Sequence, residues 1–310
     1  MDVLEKNSRR MVELLNHLAT LDGMRSSPLN GVRLLRSRCS TSRIPILYEP
    51  SIVIVAQGRK RGYLGEQHFT YDARNYLVLT VPLPFECETE VADDGPFLGV
   101  AVRIELAVLS DLLMKMETKA RPTLVRPPET SVSATPIDAA LSDATVRLLE
   151  SMLSPLDANV LGPQIIREIT YRVLRGRQGG ALQSLLLMDG PRMQMHRILH
   201  LMHSDYARPV DVAALATEAG MSISALHHHF KALTETSPLQ YLKTVRLHKA
   251  RMLMVQDSLG ASIAAERVGY ESPSQFSREF KRLFGTSPID ETQRLRAAFG
   301  ITQESAAQAG

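Results

Sequence analysis

Leu226–Pro238 reads LHHHFKALTETSP and Phe276–Pro288 reads FSREFKRLFGTSP, fifty residues further on. An apolar residue, Phe-Lys, Leu and Thr-Ser-Pro return at the same offsets: Phe230 and Phe280, Lys231 and Lys281, Leu233 and Leu283, Pro238 and Pro288. A period of this length marks a duplicated supersecondary unit. Ahead of each copy stand a small residue (Ala216, Ala265), a glycine four positions later (Gly220, Gly269), a short polar turn and an apolar anchor (Leu226, Phe276). Two helices crossing steeply through a tight turn need those residue types. The alanine lets the helices approach, the glycine supplies the positive φ that ends the first helix, and the anchor seats the second. This is helix-turn-helix spacing, with the second helix able to enter a DNA major groove. One such match is weak evidence, whereas two in register are strong.

The connector Leu239–Gln256 (LQYLKTVRLHKARMLMVQ) has no Gly or Pro and repeats Leu242, Val245 and Leu253 at helical spacing, with Pro238 suited to the first turn. A helix of about 18 residues is roughly 27 Å long, and successive major-groove faces lie roughly 34 Å apart. Both recognition helices therefore reach one face of the DNA if the DNA bends or the protein tilts. Leu226, Phe230 and Leu233 form the inward stripe of the first recognition helix; Phe276, Phe280 and Leu283 form that of the second. The outward faces are then Ser224, Ala225, His227 and His228, and Ser274, Gln275, Ser277 and Arg278. Arg278 suits a guanine edge, Gln275 an adenine, and the histidines reach guanine with less fixed geometry. Lys231, Lys243, Arg246, Lys281 and Arg282 are candidates for phosphate contact or for simple solvated charge, because backbone contacts carry no sequence pattern. Consecutive helical residues point about 100° apart, so His227, His228 and His229 cannot converge on one metal ion. No metal or other cofactor is expected.

This repeat with its rigid spacer resembles the DNA-binding domain of AraC-type transcriptional regulators over Met195–Arg296. The family's base-contacting positions, carried through the aligned phrases, fall on Ser224, His227 and His228 and on Ser274, Gln275 and Arg278. The first helix lacks the bulky aromatic or Arg that many relatives carry. Charge agrees with the resemblance: Pro191–Arg296 carries 14 Lys/Arg against 10 Asp/Glu, while residues 1–190 balance at 22 of each. The basic excess lies with the motifs, as phosphate attraction requires, although many solvated helical domains carry as much.

The remaining 180 residues have enough apolar content for a second core. The charged N-terminus (MDVLEKNSRRMVELL) and the lack of 18 consecutive apolar residues point to no secretory signal and no membrane span. Two cysteines, Cys39 and Cys87, point to a reduced cytoplasmic setting. Short β-rich runs at Ser51–Val55, Arg61–Leu64, Tyr76–Val81 and Phe97–Ile104, with a hairpin turn at Leu64-Gly65-Glu66-Gln67, predict a small antiparallel barrel or sandwich. Ile137–Leu153 and Pro163–Gly176 read as amphipathic helices, the second broken by Gly176–Gly180.

Tyr48–Glu88 and Arg167–Leu182 resemble the N-terminal domain of a distinct AraC-type subgroup. That resemblance implies a cupin-like sensor barrel with flanking helices that pair two chains. The expected architecture is thus α+β in two domains: a cupin-like sensor and dimerisation domain over 1–182, a linker over 183–191, an all-α double helix-turn-helix domain over 192–300 and a flexible tail over 301–310. The Leu185–Leu187 patch is expected to dock one domain on the other. The implied function is a transcriptional regulator, activator or repressor and not an enzyme, that binds double-stranded DNA as a homodimer, answers to a small-molecule effector and engages RNA polymerase. Some relatives respond to aldehydes or other electrophiles and control neighbouring reductase genes. The alternative is a barrel that only dimerises the chain or docks a partner. An enzymatic cupin needs several His and a carboxylate around a metal, and this half offers only His17 and His68.

Cys87 sits in PLPFECET, read as just past a strand, between Glu86 and Glu88. Those carboxylates make a thiol less reactive unless a cation such as Arg103 lies near. Inert packing is favoured about two to one over electrophile sensing, since buried thiols are usually inert. Cys39 is a lesser candidate for the same role.

Overall fold

The computed structural model describes residues 2–93, 95–117, 132–183, 185–186 and 191–299. Contacts divide the chain into two compact units: most residues up to Met193 form the first, and the second begins its main body at Gln194. The expected linker lies partly, and the expected tail entirely, outside the described residues.

The first unit opens with helix α1 (Val3–Leu18) and continues through strands β1 (Gly23–Ser26), β2 (Val32–Ser37), β3 (Thr41–Tyr48), β4 (Ser51–Gln57), β5 (Arg59–Leu64), β6 (Gln67–Asp72), β7 (Asn75–Leu79), β8 (Leu83–Glu90) and β9 (Phe97–Arg103). Helix α2 (Leu106–Glu117), strand β10 (Val132–Pro136) and helices α3 (Ala139–Ser151), α4 (Pro155–Arg175) and α5 (Gly179–Gln183) complete it. The strands form a curled antiparallel sheet, a cupin-like half-barrel, in the order β1-β2-β9-β4-β7-β6-β5-β8-β3, with β10 added beside β7.

Periodicity explains which strands are covered on both faces. In β4, SIVIVA is buried at six consecutive positions, the continuous apolar run of a strand packed on two sides. β8 instead alternates, with Leu83, Phe85, Cys87 and Thr89 buried between more exposed neighbours. Helices α1, α3 and α4 share one apolar core with the sheet, including Leu15, Ile52, Leu148 and Ile169. The β5–β6 hairpin closes as expected: Leu64 pairs with Gln67 and Gly65 takes φ 57°.

Three expectations need correction. α4 does not begin at Pro163. Its cap is Ser154, whose hydroxyl accepts from Asp157 N at 3.3 Å, and Pro155 occupies the first turn. The neighbouring Gly162 lies tight against Leu29, since a Cβ there would stand 2.2 Å from Leu29 Cδ2. Cys87 is not past a strand but inside β8. Leu185 and Leu186 pack on the first unit's own core, and Leu187 lies outside the described residues.

The second unit is helical: α6 (Pro191–Ser204), α7 (Val212–Glu218), α8 (Ile223–Thr234), α9 (Pro238–Gln256), α10 (Ala261–Arg267), α11 (Pro273–Phe284) and α12 (Pro288–Phe299). The two copies end their first helices identically. Gly220 and Gly269 adopt φ 62° and 84°. Met221 N reaches Ala216 O at 2.9 Å and Gly220 N reaches Thr217 O at 3.0 Å; in the second copy Tyr270 N reaches Ala265 O and Gly269 N reaches Glu266 O, both at 2.9 Å. Each is a Schellman cap, which satisfies carbonyls the helix leaves orphaned. Serine caps start both recognition helices: Ser222 accepts from Ala225 N and Ser272 from Gln275 N.

The glycines differ in what surrounds them. A Cβ on Gly220 meets nothing within 4 Å, whereas one on Gly269 would lie 2.2 Å from Ala207 O. Gly220→Ala should therefore cost only backbone strain, about 1 kcal/mol. Gly269→Ala adds a clash with backbone and should cost about 3 kcal/mol. Urea unfolding of the two variants checks this, and equal losses would contradict it.

Candidate functional site

The recognition helices are seated by the expected stripes. Leu226 and Phe230 are fully buried, Leu233 nearly so, and the Phe230 and Tyr241 rings meet edge-on at 5.4 Å. In the second copy Phe276 and Phe280 are buried with Ala264, Ala265 and Leu247, and Leu283 packs partly against them. Fixing those residues inward leaves the other face in water. Ser224, His227, His228, Ser274, Gln275, Ser277 and Arg278 are exposed, and Ala225 is half-buried. The expected base-facing set is thus presented together on two helix surfaces. His229 is half-buried, its ring edge-on to His228 at 5.4 Å.

The phosphate-contact candidates separate. Lys231, Lys281 and Arg282 are exposed. Lys243 is engaged by Glu279 at 2.8 Å, which ties α9 to α11. Arg246 is a correction: its guanidinium is an internal clamp. It donates to Tyr206 O (2.7 Å), Gly269 O (3.0 Å), Ala207 O (3.3 Å) and Arg208 O (2.9 Å). The planar fork of arginine serves such divergent carbonyls well.

Sequence reasoning missed Glu279, which organises the second copy. It accepts from Lys243 Nζ at 2.8 Å, Tyr270 Oη at 2.8 Å and Gln275 Nε2 at 3.1 Å. Burial pushes its pKa up, but the hydrogen bonds from Lys243, Gln275 and Tyr270 outweigh it and hold the carboxyl below its usual value. The Gln275 amide is thereby oriented on the exposed face. The i, i+4 spacing of Gln275 and Glu279 was the available signal.

In the half-barrel, Cys87 is 0% exposed and Cys39 is exposed. Arg103 is not the cation beside Cys87. It is exposed at the end of β9, donating to Asn30 Oδ1 at 3.2 Å and lying 3.7 Å from Glu105. The cation that acts on Cys87 is Lys60, while the Glu88 carboxylate acts on it in the opposite direction. In β5 the sequence RKRGYL alternates so that Lys60, Gly62 and Leu64 are buried. Lys60 pairs across the hairpin with Tyr71. Tyr71 Oη stands 3.5 Å from Cys87 Sγ and 3.1 Å from Tyr48 Oη, and Tyr48 in turn is hydrogen-bonded to Lys60. Burial pushes the Cys87 thiol up, and the opposing effects of Lys60 and the Tyr71 hydrogen bond do not offset it.

A duplicated helix-turn-helix with both outer faces in water, on a chain that also folds a half-barrel, defines a DNA-binding protein with a separate accessory domain. Comparisons agree. Residues 28–181 match the family described as AraC-type transcriptional regulator N-terminus, and residues 215–294 match a helix-turn-helix domain family. The chain is 31% identical to the HTH-type transcriptional regulator GbdR of Pseudomonas aeruginosa over 112 residues, covering 36% of this chain and 30% of GbdR. It is 29% identical to the HTH-type transcriptional activator RhaS of Escherichia coli over 148 residues, covering 47% of this chain and 52% of RhaS. The chain thus spans at most about half the length of these curated relatives. Among solved structures, an apo ToxT variant from Vibrio cholerae superposes with TM-score 0.62 at 12% identity, covering 86% of this chain and 99% of ToxT. Wild-type ToxT bound to an unsaturated fatty acid gives TM-score 0.60 at 14% identity, covering 84% and 93%.

The chain belongs to the AraC-type transcriptional regulators, with the AraC-type N-terminal domain followed by the helix-turn-helix domain. Among the described residues no helix is long and apolar enough to cross a membrane.

Proposed function

We propose that the protein is a cytoplasmic, ligand-responsive regulator of transcription. The duplicated helix-turn-helix binds operator DNA, the half-barrel holds a small effector, and engagement of RNA polymerase follows DNA binding. The observation that carries this reading is the pair of identically capped units, each presenting a polar outer face. Ser224, Ala225, His227 and His228 read one groove segment and Ser274, Gln275, Ser277 and Arg278 the next; Lys231, Lys281 and Arg282 add phosphate contacts. The ligand-bound ToxT of the same fold supports a small-molecule role for the barrel. Homodimerisation is supported by α4, which leaves Leu156 and Val160, one helical turn apart, 70% and 59% exposed.

The effector is not captured covalently by Cys87. Electrophile capture requires an accessible thiolate, and Cys87 is fully buried with its pKa raised. The test begins with DNA selected from a random pool by the full-length protein. Gel-shift titration on that DNA, with a small-molecule panel including aldehydes, then finds compounds that change its affinity. Cys87→Ser should respond to the same compound within about threefold of the wild type, a change of under about 0.7 kcal/mol. Loss of the response in a variant that still binds DNA would restore the thiol-sensing reading.

A further inference from the structure

The Lys60 cluster lies inside the first unit and is built, not incidental. Lys60 is 9% exposed, Tyr48 2%, and Tyr71 and Cys87 0%. They come from four strands, β5, β3, β6 and β8, so the sheet itself fixes their convergence. A buried ammonium costs several kcal/mol unless an anion or a full set of acceptors meets it. Here the neighbours are the Tyr48 hydroxyl, the Cys87 thiol and the ring of Phe97, whose centroid lies 5.0 Å from Lys60 Nζ. Among the described residues no carboxylate pairs with Lys60.

The neighbours do not supply the missing charge. Burial raises both phenols, Tyr71 well above its ordinary value, and it raises the thiol, so all three are neutral near pH 7. Burial is the largest influence on Lys60 and acts to lower its pKa, while the opposing influence of Tyr48 and Cys87 belongs to their ionised forms. The cluster therefore sets a buried amine beside two phenol hydroxyls with no anion among them, a deficit that an entering carboxylate would fill. That is the donor arrangement an oxyanion needs.

We propose that this cluster is the polar end of the effector site and that the effector is a carboxylate, paired with Lys60 Nζ and accepting from the Tyr48 or Tyr71 hydroxyl. The apolar remainder of the molecule lies beside Leu64 of β5 and Phe97 of β9, both buried in the first unit. The inference rests on the ligand-responsive reading above and assigns the chemical class of its ligand.

The experiment uses the full-length protein and matched probes, octanoate against octanamide and benzoate against benzamide, read by thermal shift. The expected result is a concentration-dependent rise in melting temperature with a carboxylate and little or none with its amide. Lys60→Met should weaken the apparent Kd by about tenfold or more, the loss of a charge-assisted contact. The unliganded variant should melt no lower than the wild type, because an unpaired buried charge is replaced by an apolar chain of similar length. Should that variant fail to fold, Tyr71→Phe keeps the ring, and it should weaken carboxylate binding several-fold. Equal shifts with carboxylate and amide would overturn the proposal while leaving a ligand-binding barrel. An undiminished carboxylate shift in Lys60→Met, or no shift with either carboxylate, would also overturn it. Selective DNA binding by the same preparation separates those failures from failure of the regulator reading.

Discussion

Replacing Arg278 with Ala weakens binding to the selected DNA site by about tenfold to a hundredfold, the range of one lost bidentate base contact. Arg278 is exposed on α11 while Phe276 and Phe280 of the same helix are buried, so the fold does not depend on its guanidinium. The melting temperature should therefore stay within about 2 °C of the wild type. The loss should be confined to one part of the site, with discrimination relaxed there and little change elsewhere. Gel-shift competition among single-base variants of the site measures both quantities. A uniform loss across all sequences, with the salt slope reduced by about one, would make Arg278 a phosphate contact instead.

Arg246→Ala should act in the opposite way, lowering stability before it touches affinity. The side chain holds three consecutive carbonyls of the α6–α7 connection, Tyr206, Ala207 and Arg208, together with Gly269 O at the turn of the second copy. Four charge-assisted bonds sum nominally to 6 kcal/mol or more, but the site is half-exposed and water replaces some of them, so about 3 kcal/mol is expected. Lysine recovers only part of this, because one ammonium cannot reach four divergent carbonyls. Urea unfolding reads the loss. Unchanged stability together with a reduced salt slope would return Arg246 to the phosphate contacts.

The helical half was legible because its information is local. A repeated Ala-x-x-x-Gly, a polar turn and an apolar anchor each fix one backbone event, and the Schellman caps at Gly220 and Gly269 are those events. The half-barrel was less legible. β4 announces itself as an unbroken apolar run, but β8 opens among the prolines of VPLP and then alternates with acids, so PLPFECET read as a strand flank. Phase explains the missed cation. Three basic residues share β5, and only the burial of Gly62 and Leu64 on the same face turns Lys60 inward while Arg59 and Arg61 stay outside. Applying the two-residue period from Leu64 backwards would have found it. Arg246 had no such signal, since its partners are backbone carbonyls, which any sequence supplies.

Glu279 lies between these cases. Its spacing from Gln275 was visible, but Lys243 and Tyr270 reach it from elsewhere in the chain, and only the folded unit brings the three donors together. The candidate base-reading set needed only helix phase, which the buried phenylalanines fix.

The most direct test of two base-reading helices on one chain is selection of DNA from a random pool by the full-length protein, followed by footprinting. The account predicts an enriched site with two short blocks of fixed sequence about one helical turn, 10 base pairs, apart for each bound chain. Both blocks should be protected on the same face of the duplex. Recovery of a single block per chain, or of no preferred sequence at all, would contradict it.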